Sequence, residues 1–193
     1  MTTDGIDDTD YIQAFMTERS VSLDRSALIV VDMQNATGAR DGALGRRMAK
    51  ERSNSTNYRF DRIEALVVPN TKRLLAGFRA GGGGVVYLTV GAGRKDAADA
   101  PPHMRKLFLE TDNYVGSREH EIVDELKPEP GELILRKTSI GAFASTGIDH
   151  MLRCMGWDTL FMTGVSTNMC VETTAREAAD RGYNVTMVED ACG

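Results

Sequence analysis

Three cysteines, three histidines and a single tryptophan are all that these 193 residues hold of those types. So sparse and odd a cysteine count excludes a disulfide framework. Cys154, Cys170 and Cys192 therefore read as reduced thiols of a cytoplasmic protein. His103, His120 and His150 are scattered, without H-x-H or H-E-x-x-H spacing, so neither a metal site nor a Cys–His dyad is expected, and no cofactor is implied. No run of about 18 apolar residues is present to span a membrane. The acidic N-terminus MTTDGIDDTDYIQAFMTERS lacks the positive-then-apolar order of a signal peptide. The net charge of −5, with no basic block, argues against nucleic acid as a partner. GGGG at 81–84 precedes a predicted strand and is followed by no Lys-Ser/Thr, so it reads as a helix-to-strand turn and not as a phosphate loop.

What remains is a globular composition, 41% hydrophobic and 26% charged, of a length suited to one domain. Residues 1–25 read as an N-terminal arm and 26–193 as the domain. The apolar runs SALIVVDMQ (26–34), VVYLTV (85–90), GELILRK (131–137), DTLFMTGV (158–165) and YNVTMVED (183–190) read as strands. The first is of the kind buried on both faces inside a parallel sheet. Helices are expected over 61–80, with a true start near Val68 so that Pro69 falls in the first turn, and over 119–126, 145–155 and 168–181, the last closed by Gly182. Residues 36–60 and 91–118 read as long loops, the second stiffened by Pro101-Pro102. Strands alternating with helices predict a three-layer α/β/α fold with a mainly parallel central sheet.

Ligands in such sheets collect at the carboxyl ends of the strands. Asp32 ends the first strand, Lys137 ends the third, and Cys170 follows the fourth by a few residues. In the first turn of a helix, Cys170 would meet free N–H groups and about half a positive charge, which favour a thiolate and can hold an oxyanion. The same position suits a small cysteine packed between helix and sheet. Asp32 follows five apolar residues, where a carboxylate is costly to bury unless it is paired or has a raised pKa. It reads either as a general base or as a polar strand stop. Lys137 reads either as a cation neutralising both groups or as a solvated strand end. Arg136, next to it, should face the other way.

Taken together, ALIVVDMQN (27–35), LRKTSIGAFASTGID (135–149) and TGVSTNMCVETTAREA (163–178) resemble the isochorismatase-like, or cysteine hydrolase, superfamily over most of 26–193. That resemblance implies an Asp–Lys–Cys triad at Asp32, Lys137 and Cys170. It further implies a non-proline cis peptide at Val165–Ser166 and an oxyanion hole built from the N–H groups of Ser166 and Cys170. The function implied is hydrolysis of a small linear amide or ureido compound with release of ammonia. The closest-looking branch comprises N-carbamoylsarcosine, ureidoacrylate and biuret amidohydrolases. Cys170 argues against isochorismatase proper, and GAGRKDAADAPPHMR (91–105) lacks the histidine set of metal-dependent nicotinamidases. A nicotinamidase or maleamate-type amidase, and a catalytically silent oligomeric binding member, stand as alternatives. Gln34, Phe143 and Arg40 are assigned to substrate contact. The implied assembly is a homo-oligomer, dimer or tetramer. Relatives usually continue past EDACG through another helix, so further C-terminal elements are expected that this sequence does not contain. The arginines at 40, 46, 47, 52 and 59 are either an anion-binding rim of the crevice or a solvated or subunit-contacting surface.

Overall fold

A computed structural model describes residues 20–51 and 54–193, with the side chains of 54–56 left out. Residues 1–19 of the predicted arm, and Arg52, lie outside the described residues.

Five parallel strands form one sheet: β1 (Ser26–Val31), β2 (Gly84–Val90), β3 (Leu133–Lys137), β4 (Thr159–Gly164) and β5 (Asn184–Cys192), in the spatial order β3-β2-β1-β4-β5. β1 is central and every residue in it is buried, which is why its sequence is an unbroken apolar run instead of an alternating one. Its side chains still alternate between faces. Ala27, Ile29 and Val31 join one core layer with Ile148, Leu152, Ala175 and Ala178. Leu28 and Val30 join the opposite layer with Phe60, Ile63, Leu75 and Phe78. β3 and β5 are the edges and are correspondingly more exposed.

The α-helices of eight residues or more among the described residues are α1 (Ala43–Lys50), α2 (Asn54–Arg62), α3 (Val68–Gly81), α4 (Pro102–Glu110), α5 (Ile148–Met155) and α6 (Glu172–Ala179). α2 runs into α3 through a π-helical stretch, Ile63–Val67. The helix therefore starts well before Asp61, and Pro69 sits just past the widened turn. A proline removes one backbone donor and crowds the carbonyl four residues earlier, and a wider turn there relieves that crowding. The expected loop at 36–60 is thus largely helical. So is part of 91–118, because Pro101 caps α4 and Pro102 occupies its first turn, where a missing N–H costs nothing. The helix expected over 119–126 is instead two 3-10 turns, Arg118–His120 and Asp124–Leu126, separated by extended backbone.

Chain direction across the sheet reverses between β1 and β4, since β2 and β3 build outward on one side and β4 and β5 on the other. A crevice opens at the carboxyl ends at such a switch point. Here the two strands converge tightly: Gly164 has φ 106°, and a Cβ on it would lie 2.1 Å from the Val31 carbonyl oxygen. Gly164→Ala is expected to destabilise the fold by about 1–3 kcal/mol or more, from left-handed strain plus that collision. An unshifted urea midpoint would count against this account of the junction.

Candidate active site

Asp32 is the residue at which β1 stops being a strand. Its φ of 50° is left-handed, a conformation that aspartate and asparagine tolerate better than most residues. The turn is held by its N–H donating to the Leu88 carbonyl, and by its own carbonyl accepting from the Gln34 N–H and the Thr37 hydroxyl. Gln34 locks the same corner. Its Nε2 donates to the Val90 and His120 carbonyls, at 3.1 and 2.9 Å, and its Oε1 accepts from the Val90 N–H at 2.7 Å. Gln34 is fully buried in this role and does not line the crevice, contrary to its assignment as a substrate contact.

Lys137 reaches the same place from β3. Two strands apart means about 9–10 Å, a span that needs a long side chain laid across the end of β2. The Nζ atom lies 2.9 Å from Asp32 Oδ2, with both side chains essentially inaccessible to solvent. Its hydrogen bonds go to the Ser139 and Ile140 carbonyls, at 3.1 and 2.9 Å. Toward Asp32 it therefore acts as a close charge, and neither carboxylate oxygen has a well-directed hydrogen bond among the described residues. Arg136 points away and pairs with Asp99, as strand alternation requires.

Cys170 lies in a π-helical stretch, Thr167–Val171, directly after β4 and ahead of α6. The preceding Val165–Ser166 peptide is cis. The Ser166 N–H donates to no acceptor among the described residues. With Asp32, the thiol lines a cavity of about 260 Å³ whose other walls include Thr37, Arg59, Asn113, Ile140 and Ser166. That is smaller than the pockets that take drug-sized ligands. Larger, more open grooves elsewhere, such as one along Arg46, Arg47 and Glu110, contain none of the three reactive groups.

The three groups shift one another's protonation. Burial raises the Asp32 pKa, and Lys137 only partly offsets this. Burial pulls Lys137 down, but the facing Asp32 and Cys170 outweigh it and the ammonium is retained. Burial, then the Asp32 charge, pushes the Cys170 thiol up to about 12. Next to a carboxylate in a buried cavity, this shift opposes the thiolate that a helix start alone would favour.

The other expected contacts lie elsewhere. Arg40 holds Glu64 through Nε and Nη2, at 2.8 and 2.7 Å, and Asp61 at 2.6 Å on the surface. Phe143 packs toward Tyr183, ring centroids 6.0 Å apart, and lies off the cavity. The arginine that does enter is Arg59, on α2. Its signal in the sequence is the spacing Phe60, Ile63, Val67, a helical stripe that begins before Asp61 and carries its neighbour into the core.

Fold and site together describe a hydrolase with a thiol at the switch point of a parallel sheet. The model of the isochorismatase domain matches residues 26–193. A ureidoacrylate amidohydrolase from Pantoea ananatis is 32% identical over 181 residues, covering 86% of this chain and 68% of that protein. The crystal structure of a cysteine hydrolase from Pseudomonas syringae superposes with a TM-score of 0.76 at 30% identity, covering 91% of this chain and 76% of the other. That of an N-carbamoylsarcosine amidase from Thermoplasma acidophilum does so at 0.67 and 28%, over 88% and 84%. The chain belongs to the isochorismatase family of hydrolases.

Replacing the Asp32 charge should change the thiol in a defined direction. In Asp32→Asn, an asparagine keeps the left-handed turn, the negative neighbour is gone, and Lys137 remains. The Cys170 pKa is then expected to fall from about 12, so that thiolate absorbance in the ultraviolet grows in at lower pH than in the native protein. Cys170→Ser supplies the background from the other thiols. A titration that stays put or moves upward would contradict the assigned coupling.

Proposed function

We propose that this protein is an amidohydrolase that cleaves a C–N bond of a small linear amide or ureido compound and releases ammonia. Cys170 is its nucleophile, Asp32 its general base and Lys137 the charge that holds both. The observation that carries this reading is that the 2.9 Å Asp32–Lys137 pair and the Cys170 thiol meet at one small cavity. The names of the relatives, ureidoacrylate amidohydrolase and N-carbamoylsarcosine amidase, favour a ureide.

With the thiol neutral at rest, deprotonation belongs to the attack itself. Asp32 takes the thiol proton as sulfur bonds to the ureido or amide carbon. The Ser166 and Cys170 N–H groups receive the oxyanion. The carbon–nitrogen bond then breaks, and the leaving amine takes its proton from Asp32 and departs as ammonia. Water, deprotonated by Asp32, attacks the thioester or thiocarbamate and returns the thiol. A ureide yields a carbamic acid, which falls apart to amine and carbon dioxide. Lys137 keeps its proton throughout and limits the cost of the charge that passes between carboxylate and thiol.

Cys170→Ala and Asp32→Asn are each expected to lower ammonia release by several orders of magnitude with the fold intact, because the members of such a unit act together. Near-native turnover by either variant would sink the mechanism. The base must be ionised to work. Since burial raises the Asp32 pKa above 3.8, kcat/KM should fall with decreasing pH well before an ordinary carboxylate would be half protonated. An acid limb at or below that ordinary value would mean that some other group is the base. Among the described residues no three His, Cys, Asp or Glu side chains come together as a metal-ligand set. Dialysis against EDTA is expected to leave the rate unchanged, and a loss restored by zinc or iron would assign the reaction to the metal-dependent amidases.

A further inference from the structure

The arginines of the 36–60 segment differ in what they hold. Arg40 has Glu64 and Asp61, Arg46 has Glu119, and Arg47 has Glu51 and Glu110. Arg59 has no carboxylate among the described residues. Its Nη1 donates to the Ser166 hydroxyl at 2.7 Å and its Nη2 to the Thr37 carbonyl at 2.9 Å, both neutral oxygens. Its Nε is buried without a partner among the described residues. The guanidinium stays protonated in any protein environment, and half-buried in this wall it carries a charge that no carboxylate among the described residues cancels.

The cavity's charges can be counted. Asp32 and Lys137 offset each other at 2.9 Å. Arg59 is left as the uncompensated charge on the walls that the described residues provide. An unpaired buried cation is costly, and the cost falls when an anion enters. The planar guanidinium, through the Nη hydrogens not already given to Ser166 and Thr37, suits a carboxylate. Between Arg59 and Cys170 the walls contributed by Met104, Leu107 and Ile140 are apolar. They suit a short carbon chain joining a carboxylate to a carbonyl carbon that lies over the thiol.

We propose that Arg59 is the specificity-determining residue of this site and binds a carboxylate on the substrate, so that the enzyme prefers an acidic ureide or amide to a neutral one of equal size. This rests on the amidohydrolase reading for its substrate and on the cavity alone for its anion. The bland alternative is that Arg59 serves only to strut the Ser166 turn against α2.

The test compares 3-ureidopropionate with n-propylurea, matched in length and differing in the acid. Native enzyme is expected to favour the acid by at least tenfold in kcat/KM, chiefly through KM, and added salt should raise KM for the acid alone. In Arg59→Met that ratio should collapse toward one. Arg59→Lys, which keeps a point charge without the fork, should fall between, and it serves should the Met variant not fold. A ratio near one in the native enzyme overturns the proposal. So does an equal loss for both substrates in the variants, which assigns Arg59 to positioning the Ser166 turn. A second measurement needs no turnover: millimolar propionate should slow alkylation of Cys170 by iodoacetamide in the native protein and not in Arg59→Met. If no amide or ureide releases ammonia but propionate protects in this Arg59-dependent way, the amidohydrolase reading fails and the anion site stands. If propionate protects neither protein, or both alike, the anion site fails whatever the enzyme hydrolyses.

Discussion

Two opposite charges, 2.9 Å apart and fully removed from water, tie the ends of β1 and β3 together across β2. Placing each there without its partner would cost several kcal/mol, so the pair constrains everything packed around it. The ammonium needs two more acceptors and obtains them from the Ser139 and Ile140 carbonyls, which draws the segment after β3 inward and seats Ile140 in the cavity wall. The carboxylate needs the left-handed turn at position 32, and that turn needs Gln34 and Thr37 to hold it. A pair that might be taken for a stabilising bridge is better understood as the element that shapes the crevice, since buried pairs contribute little net stability.

The same pair governs the thiol. A cysteine after a strand and at a helix start is commonly read as a thiolate, because the backbone there favours negative charge. Here burial and the Asp32 charge on the same small cavity oppose a second anion. A raised thiol pKa favours removal of the proton during attack over a standing thiolate. Under the proposed mechanism this suits a reaction whose base must later return the proton to a poor leaving group: one carboxylate serves in both directions, and no ion is left stranded in a low-dielectric cavity.

Much of this was legible in the sequence, and the parts that were not share a cause. The inner strands were readable because parallel strands covered on both faces must be apolar along their length, as ALIVV and VVYLTV are, and the edge strands β3 and β5 because their apolar and β-branched residues still form short runs bounded by turn residues. The three reactive residues stood out because each closes or closely follows such a run. The helices at 43–50 and 102–110 were not readable. They are short, bury few residues each, and rely on neighbouring helices and loop segments instead of on their own periodicity. Pro69 misplaced the start of the long helix because a π-helical turn, which has no compositional signature, absorbs it.

The arginines mark the boundary between the two kinds of knowledge. Sequence alone determined that five of them crowd the stretch after β1, and that Asp32, Lys137 and Cys170 fall at strand ends of one parallel sheet, because chain position relative to an apolar run is a local property. Only the tertiary structure decided that Arg40 is neutralised by Glu64 and Asp61 while Arg59 lines the cavity that holds Cys170, that Gln34 is a strut, and that burial and Asp32 push the Cys170 thiol up. Charge state and partner choice depend on which distant side chains share a volume without water, and for Arg59 and Ser166 those partners lie 107 residues apart along the chain.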